Sequence, residues 1–146
     1  MEVDITRSLG LDIGDKRIGV ALSDPDGILA SPFTIINRRD ETLDVEAITD
    51  IINQKQVGQI VVGLPRSMDG SLGRQVEKVE AFTQRLCSHT EVPIEYRDER
   101  LTTVLAKRLA HAAGSKKTRG KARHDAQAAA LILQGYLDEA CEPNSP

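Results

Sequence analysis

The chain has 146 residues, enough for one domain with a real core and too few for two. Apolar residues make up 40%, ordinary for a globular protein, and no apolar run approaches the roughly 18 residues needed to span a bilayer. A net charge of −3 argues against a general polyanion binder.

Residues 1–7 read as a loose leader. They carry Glu2, Asp4 and Arg7, so no signal-peptide pattern is expected. Residues 9–14 and 18–23 are two strands joined by the short turn Asp15-Lys16-Arg17, which predicts a hairpin. Asp24-Pro25-Asp26-Gly27 is a turn by composition. Residues 30–37 form a third strand, and Pro32 suggests an edge position. Residues 43–54 repeat apolar side chains at helical spacing: Leu43, Ala47, Ile48, Ile51 and Ile52. Residues 59–64 are a short β-branched run, like a buried parallel strand.

Residues 65–73 are a Gly/Ser loop. A helix over 74–88 turns Val76, Val79, Phe82, Thr83 and Leu86 inward, and residues 93–97 are the fifth strand. Thr102 can cap a helix over 104–113. Residues 114–123 read as a basic loop, and residues 125–137 as the last helix. The inward face of that helix is Ala128, Ala129, Ile132, Leu133 and Tyr136. The ordered core is expected over 8–138, with a disordered tail at 142–146. The order βββαβαβαα implies an α/β fold: one mixed five-stranded sheet, an antiparallel three-strand meander plus two parallel strands, flanked by helices. Cys87 and Cys141 lack metal-ligand spacing and fit a reducing, cytoplasmic setting.

Three carboxylates stand at odd places. Asp12 lies inside the apolar run Leu9-Gly10-Leu11-Asp12-Ile13-Gly14. A buried carboxylate without a partner costs several kcal/mol, so one inside a strand is expected to pair or to bind a metal. Leu11 and Ile13 should point to one face and Asp12 to the other. Gly10 and Gly14 share its face and would leave an open pocket there. Glu99 follows the fifth strand, where open α/β sheets place their sites. Adjacent Asp98 is the alternative, although it stands near Arg97 and Arg100 and could pair with them. Asp125 opens the last helix, where an acid is also favoured by the helix dipole alone. Three acids at one end of a sheet suit hard divalent cations, Mg²⁺ or Mn²⁺, one ion or two, which take oxygen ligands and serve phosphodiester cleavage.

Charge is unevenly spread. Lys107, Arg108, Lys116, Lys117, Arg119, Lys121 and Arg123 occur with no acid among them, immediately before Asp125. The remaining chain is near −10, with twelve basic and twenty-two acidic residues. Such a patch can guide a phosphate backbone to one place. Arg17 in the hairpin turn, and Arg66 and Arg74 around the Gly/Ser loop, are further phosphate candidates, the latter two beside a helix N-terminus. His124 could handle a proton. With aromatics at 3%, base stacking on aromatic platforms is not expected, so contacts should fall on phosphate and sugar.

The stretch from Leu11-Asp12-Ile13-Gly14-Asp15-Lys16-Arg17-Ile18-Gly19 to Ser23-Asp24 resembles the opening motif of the YqgF, or RuvX, family. Val62-Gly63-Leu64-Pro65 with Asp69-Gly70, then Asp98-Glu99-Arg100-Leu101-Thr102-Thr103, then Lys121 and Asp125 with Ala128-Ala129, resemble its later motifs in order. The resemblance covers residues 9–137. It implies an RNase H-like fold and a cytoplasmic bacterial nuclease whose acidic triad falls on Asp12, Glu99 and Asp125. It also implies 5′-end processing of pre-16S rRNA in ribosome biogenesis, with Holliday junction cleavage as the alternative. A homodimer would suit two symmetric cuts in a junction. Two rivals stand beside it. One is an ATP-binding protein of the actin/sugar-kinase type, which opens on a similar hairpin. The other is a ribosome-assembly factor that binds RNA without cutting. Nucleic acid is the expected partner, and no membrane.

Overall fold

Alternation and β-branching set the middle of the molecule. A computed structural model describes residues 7–64, 73–98 and 117–140; of residues 98, 117–125 and 140 it describes the backbone alone. The strands are β1 (Arg7–Ile13), β2 (Arg17–Ser23), β3 (Ala30–Asn37), β4 (Val57–Leu64) and β5 (Ile94–Asp98). They form one sheet in the order β3-β2-β1-β4-β5. β1 pairs antiparallel with β2, Asp12 opposite Gly19, and β2 pairs antiparallel with β3. β1–β4 and β4–β5 are parallel, with Leu11 opposite Val62 and Gly63 opposite Arg97. The expected meander and crossovers are therefore present.

β3 is one of the two edge strands, and the register shifts where Pro32 enters it, between Val20 and Ala21 of the partner strand. Proline removes a ladder donor, so an edge position with a bulge tolerates it.

Period-two alternation separates two cores. On one face Leu9, Leu11, Ile13, Ile60 and Val62 pack against helices α1 (Glu41–Gln54) and α2 (Gly73–Cys87), through Val45, Ile48, Val79, Phe82 and Leu86. On the other, Ala21 and Val61 meet Ala129, Ile132 and Leu133 of α3 (Lys117–Ala140).

α1 begins two residues before the expected start, because the Asp40 carboxylate accepts the Leu43 amide at 2.9 Å and caps the helix. Leu43, expected inward, is 46% exposed; Val45 and Asp44 take the inward places. The larger correction is at the other end. Residues 117–123, expected as a loop, are helical, so α3 starts eight residues before Asp125. Lys, Arg and Ala are good helix formers, and a charge run sets solvation rather than backbone conformation. Gly120 alone costs the segment about 1 kcal/mol. The helix expected over 104–113 and the tail 142–146 lie outside the described residues. No described helix is long and apolar enough to cross a membrane.

Candidate nucleic-acid processing site

Asp12 lies on the middle strand of the sheet, half-buried, on the face that α3 covers. Gly10, two residues earlier on that face, explains how α3 comes so near. A Cβ on Gly10 would stand 2.8 Å from the Ala129 carbonyl oxygen and 2.8 Å from Leu133 Cβ. The expected open pocket around Asp12 is therefore filled on the Gly10 side by helix. Gly14 is tight as well: its amide donates to the Arg17 carbonyl at 2.9 Å, and a Cβ there would meet that oxygen at 2.8 Å.

α3 runs against the direction of β1. Gln134, near its C-terminal end, receives the Ala30 amide at 2.9 Å on its Oε1, and Ala30 pairs with Ser23 at the far end of the hairpin. Moving up β1 from Gly10 to Asp12 thus corresponds to moving toward the start of α3. Asp125 is one turn before Ala129, so its backbone lies toward the Asp12 end of the strand. It sits two turns inside the helix, not at its first turn, so the dipole account of this acid fails.

β1, β4 and β5 run parallel and end at Ile13, Leu64 and Asp98. Glu99 directly follows Asp98 and lies outside the described residues, as do Arg66 and Lys116. Lys117, Arg119, Lys121, Arg123 and His124 lie in the first turns of α3. Arg17 opens β2, half-buried, and Arg74 is exposed at the start of α2. Among the described residues no three His, Cys, Asp or Glu side chains converge as a metal group. The side chains of Glu99 and Asp125 are not among those residues.

Two ion pairs join elements of this sheet in ways that spacing alone does not predict. Arg97, expected beside Asp98, lies over Gly135 of α3 and pairs with Glu139 at 2.8 Å. That hydrogen bond holds the Glu139 carboxyl below its ordinary range. The pair ties β5 to α3 on the Asp12 face. Arg38, just after β3, reaches the Gly14 carbonyl oxygen at 2.8 Å and the buried Asp44 at 2.9 Å. The sequence signal was Asp44 at a helical position that helix periodicity turns inward.

A family model described as "RuvX: Holliday junction resolvase" matches residues 6–139. Proteins named "Putative pre-16S rRNA nuclease" are close relatives. That of Trichormus variabilis is 47% identical over 131 residues, 90% of this chain and 87% of that protein. That of Synechococcus sp. is 48% identical over 136 residues, 93% and 91% of the two chains. That of Moorella thermoacetica is 47% identical over 132 residues, 90% and 94%. Among solved structures, T. thermophilus RuvC in complex with a Holliday junction substrate gives a TM-score of 0.63 at 13% identity, covering 93% of this chain and 97% of that one. The yeast mitochondrial Holliday junction resolvase Ydc2 gives 0.56 at 12%, covering 94% and 80%. These structural likenesses establish a RuvC-like, RNase H-type fold.

Proposed function

This chain belongs to the RuvX family, and on that premise we propose that it is a metal-dependent nuclease that processes the 5′ end of pre-16S rRNA. The observation that carries the reading is a carboxylate on the middle strand, Asp12, facing the helix that bears Asp125. A binding module gains nothing from acids placed beside phosphates, whereas a hydrolase needs them to hold cations.

Asp12, Glu99 and Asp125 would hold Mg²⁺ or Mn²⁺, one ion or two. The donor set is oxygen only, and the Asp12 position is half-buried against a helix rather than free in solvent, which suits a hard cation. When bound, the ion supplies Lewis-acid polarisation of the scissile phosphate and lowers the pKa of a water. The chain's own cations orient the backbone: Lys116, Lys117, Arg119, Lys121 and Arg123 at the start of α3, with Arg17, Arg66 and Arg74. His124, next to Asp125 in the sequence, would pass a proton. The protein works as one domain in the cytoplasm.

A second reading, cleavage of a four-way DNA junction by a homodimer, is favoured by the description of the family model. The test sets a labelled pre-16S 5′ leader beside a four-way junction, in Mg²⁺ and Mn²⁺, with Asp12→Asn as control. Cutting of the RNA alone, lost by about a thousandfold or more in the variant, is the expected result; such a loss is about 4 kcal/mol of barrier. Paired symmetric cuts in the junction establish the second reading. An Asp12→Asn protein that still cuts overturns the triad, and a wild type that cuts neither leaves RNA binding without cleavage.

A further inference from the structure

The pair between half-buried Arg38 and buried Asp44 is an ionic network that the nuclease reading leaves without a task. Asp44 is 2% exposed. Its carboxylate accepts Arg38 Nε at 2.9 Å on one oxygen and the Arg39 amide at 3.1 Å on the other. The same guanidinium donates from Nη1 to the Gly14 carbonyl oxygen at 2.8 Å and lies 5.0 Å from the centre of the buried Phe82 ring. The Arg38 amide donates to the Lys16 carbonyl oxygen at 2.9 Å. One residue thus holds two carbonyls of the turn that joins β1 to β2.

That arrangement is costly if stability were its purpose. The buried Asp44 carboxylate must be desolvated, and an ion pair that buries a charge is often no better for stability than well-packed apolar residues of the same size. Its return here is geometric. A planar guanidinium can satisfy a carboxylate, a carbonyl and an aromatic face at once, which an ammonium cannot reproduce. A second side-chain tie on the turn, Lys78 to Asp15 at 3.3 Å, joins two groups about 60% exposed, and such surface pairs contribute little. Arg38, with bonds to the Gly14 and Lys16 carbonyls, is therefore a stronger brace on the turn than Lys78. The turn's last residue is Arg17, whose carbonyl oxygen closes back onto the Gly14 amide.

We propose that Arg38 is a positioning residue: braced by Asp44, it holds the Gly14–Arg17 turn rigid so that the Arg17 guanidinium meets one backbone phosphate of the substrate. The proposal rests on the nuclease reading for its substrate. Asp12 pairs with Gly19 inside the β1–β2 ladder and Leu11 beside it pairs with Val62 of β4, so the effect should fall on substrate affinity rather than on the chemical step.

The test uses the full chain and binding of a labelled pre-16S 5′ leader RNA in EDTA across a salt series, so that cleavage plays no part. Arg17→Ala, Arg38→Lys and the double variant are compared with the wild type, each with its Tm. Asp44→Asn replaces Arg38→Lys if the latter does not fold. Arg38→Lys is expected to bind several-fold more weakly, with a salt slope shallower by about 0.7 to 0.9, the signature of one lost phosphate contact. The double variant should bind no worse than Arg17→Ala alone, because the two act through one contact. In a cleavage assay KM rises and kcat holds. An unchanged slope with a lowered Tm, or additive losses in the double variant, overturns the proposal. Amide exchange at Gly14 separates the two readings. If the wild type binds no RNA, the rRNA-processing reading fails; exchange about tenfold faster in Arg38→Lys would still support a rigid turn held by Arg38, and unchanged exchange would overturn it.

Discussion

Gly10 decides how closely α3 lies on the sheet, and therefore where Asp125 is carried. Its missing side chain is occupied by a backbone carbonyl and a Cβ of the helix, neither of which can swing aside. Gly10→Ala should force α3 outward and cost about 1–3 kcal/mol, the usual cost of overpacking. Thermal unfolding should show a drop of several degrees, since each kcal/mol shifts Tm by about 2–4 °C in a chain of this size. Cleavage per folded molecule should fall with it. An unchanged Tm would mean that the helix does not press on the strand at Gly10. Gly10 also shows what composition conceals. Glycine beside a carboxylate reads as open space, and only the placement of α3 reveals that the space is filled.

At the scale of elements, most of the fold was legible because period two and period 3.6 are strong signals. β3 matches its expected limits, and the parallel pair β1–β4 follows from the continuous apolar run Ile60-Val61-Val62. The failures have local causes. Asp40 caps α1 without standing next to an apolar residue, so apolar spacing alone places the helix start two residues late. Leu43 looked inward by spacing, yet the burial of Asp44 against Arg38 rotates the helix face away from it. Residues 117–123 are helical although their charge run suggests a loop, because charge sets solvation and not backbone conformation. As a helix, α3 is about 36 Å long against about 23 Å for β1, so it outreaches the strand it covers. Its basic first turns are then helical and extend past the Asp12 end of the strand. Replacing Lys117, Arg119 and Lys121 together by Ala should weaken RNA binding and flatten its salt slope by about 2, at about 0.7–0.9 per phosphate lost. Because Ala is the best helix former, helicity by circular dichroism should hold or rise. An unchanged slope would remove this arm from the interface.

The β2–β3 turn offers a test of its own by pH. The Asp24 carboxylate accepts the Ile28 amide at 2.8 Å and the Leu29 amide at 3.0 Å. These bonds, Leu29's first, hold its pKa below the usual 3.8. A lowered folded pKa means that the contribution is complete above the unfolded value and is lost as pH falls through the folded one. The turn should therefore hold at neutral pH and loosen progressively below about pH 4. The Ile28 and Leu29 amide resonances should move in that window. In Asp24→Ala they should already occupy their low-pH positions at pH 7, and resonances that titrate identically in the variant would assign the change to another group.

For the molecule as a whole, charge and stability meet at the site. Away from the basic stretch between Lys107 and Arg123 the chain carries twelve basic and twenty-two acidic residues, so the body repels nucleic acid while one region attracts it. Long-range fields then orient the encounter before any contact forms, and steering of this kind weakens steeply with salt. The same body has a cost to meet at the proposed triad, since three carboxylates brought to one end of a sheet repel one another. A divalent cation that binds the folded chain and not the unfolded one relieves this and stabilises by mass action, about 2.7 kcal/mol when its concentration is a hundred times Kd. Titrating Mn²⁺ into the metal-free protein should therefore raise Tm by several degrees, at the 2–4 °C per kcal/mol expected for this length, roughly. Ca²⁺, also an oxygen-seeking cation, should compete for the same carboxylates. In Asp12→Asn the Mn²⁺ response should vanish while the Tm of the metal-free protein holds or rises, because one repelling charge is gone. A Tm that climbs equally in the variant would place the cation elsewhere on the acidic body, and no climb in either protein would separate Asp12 from any metal.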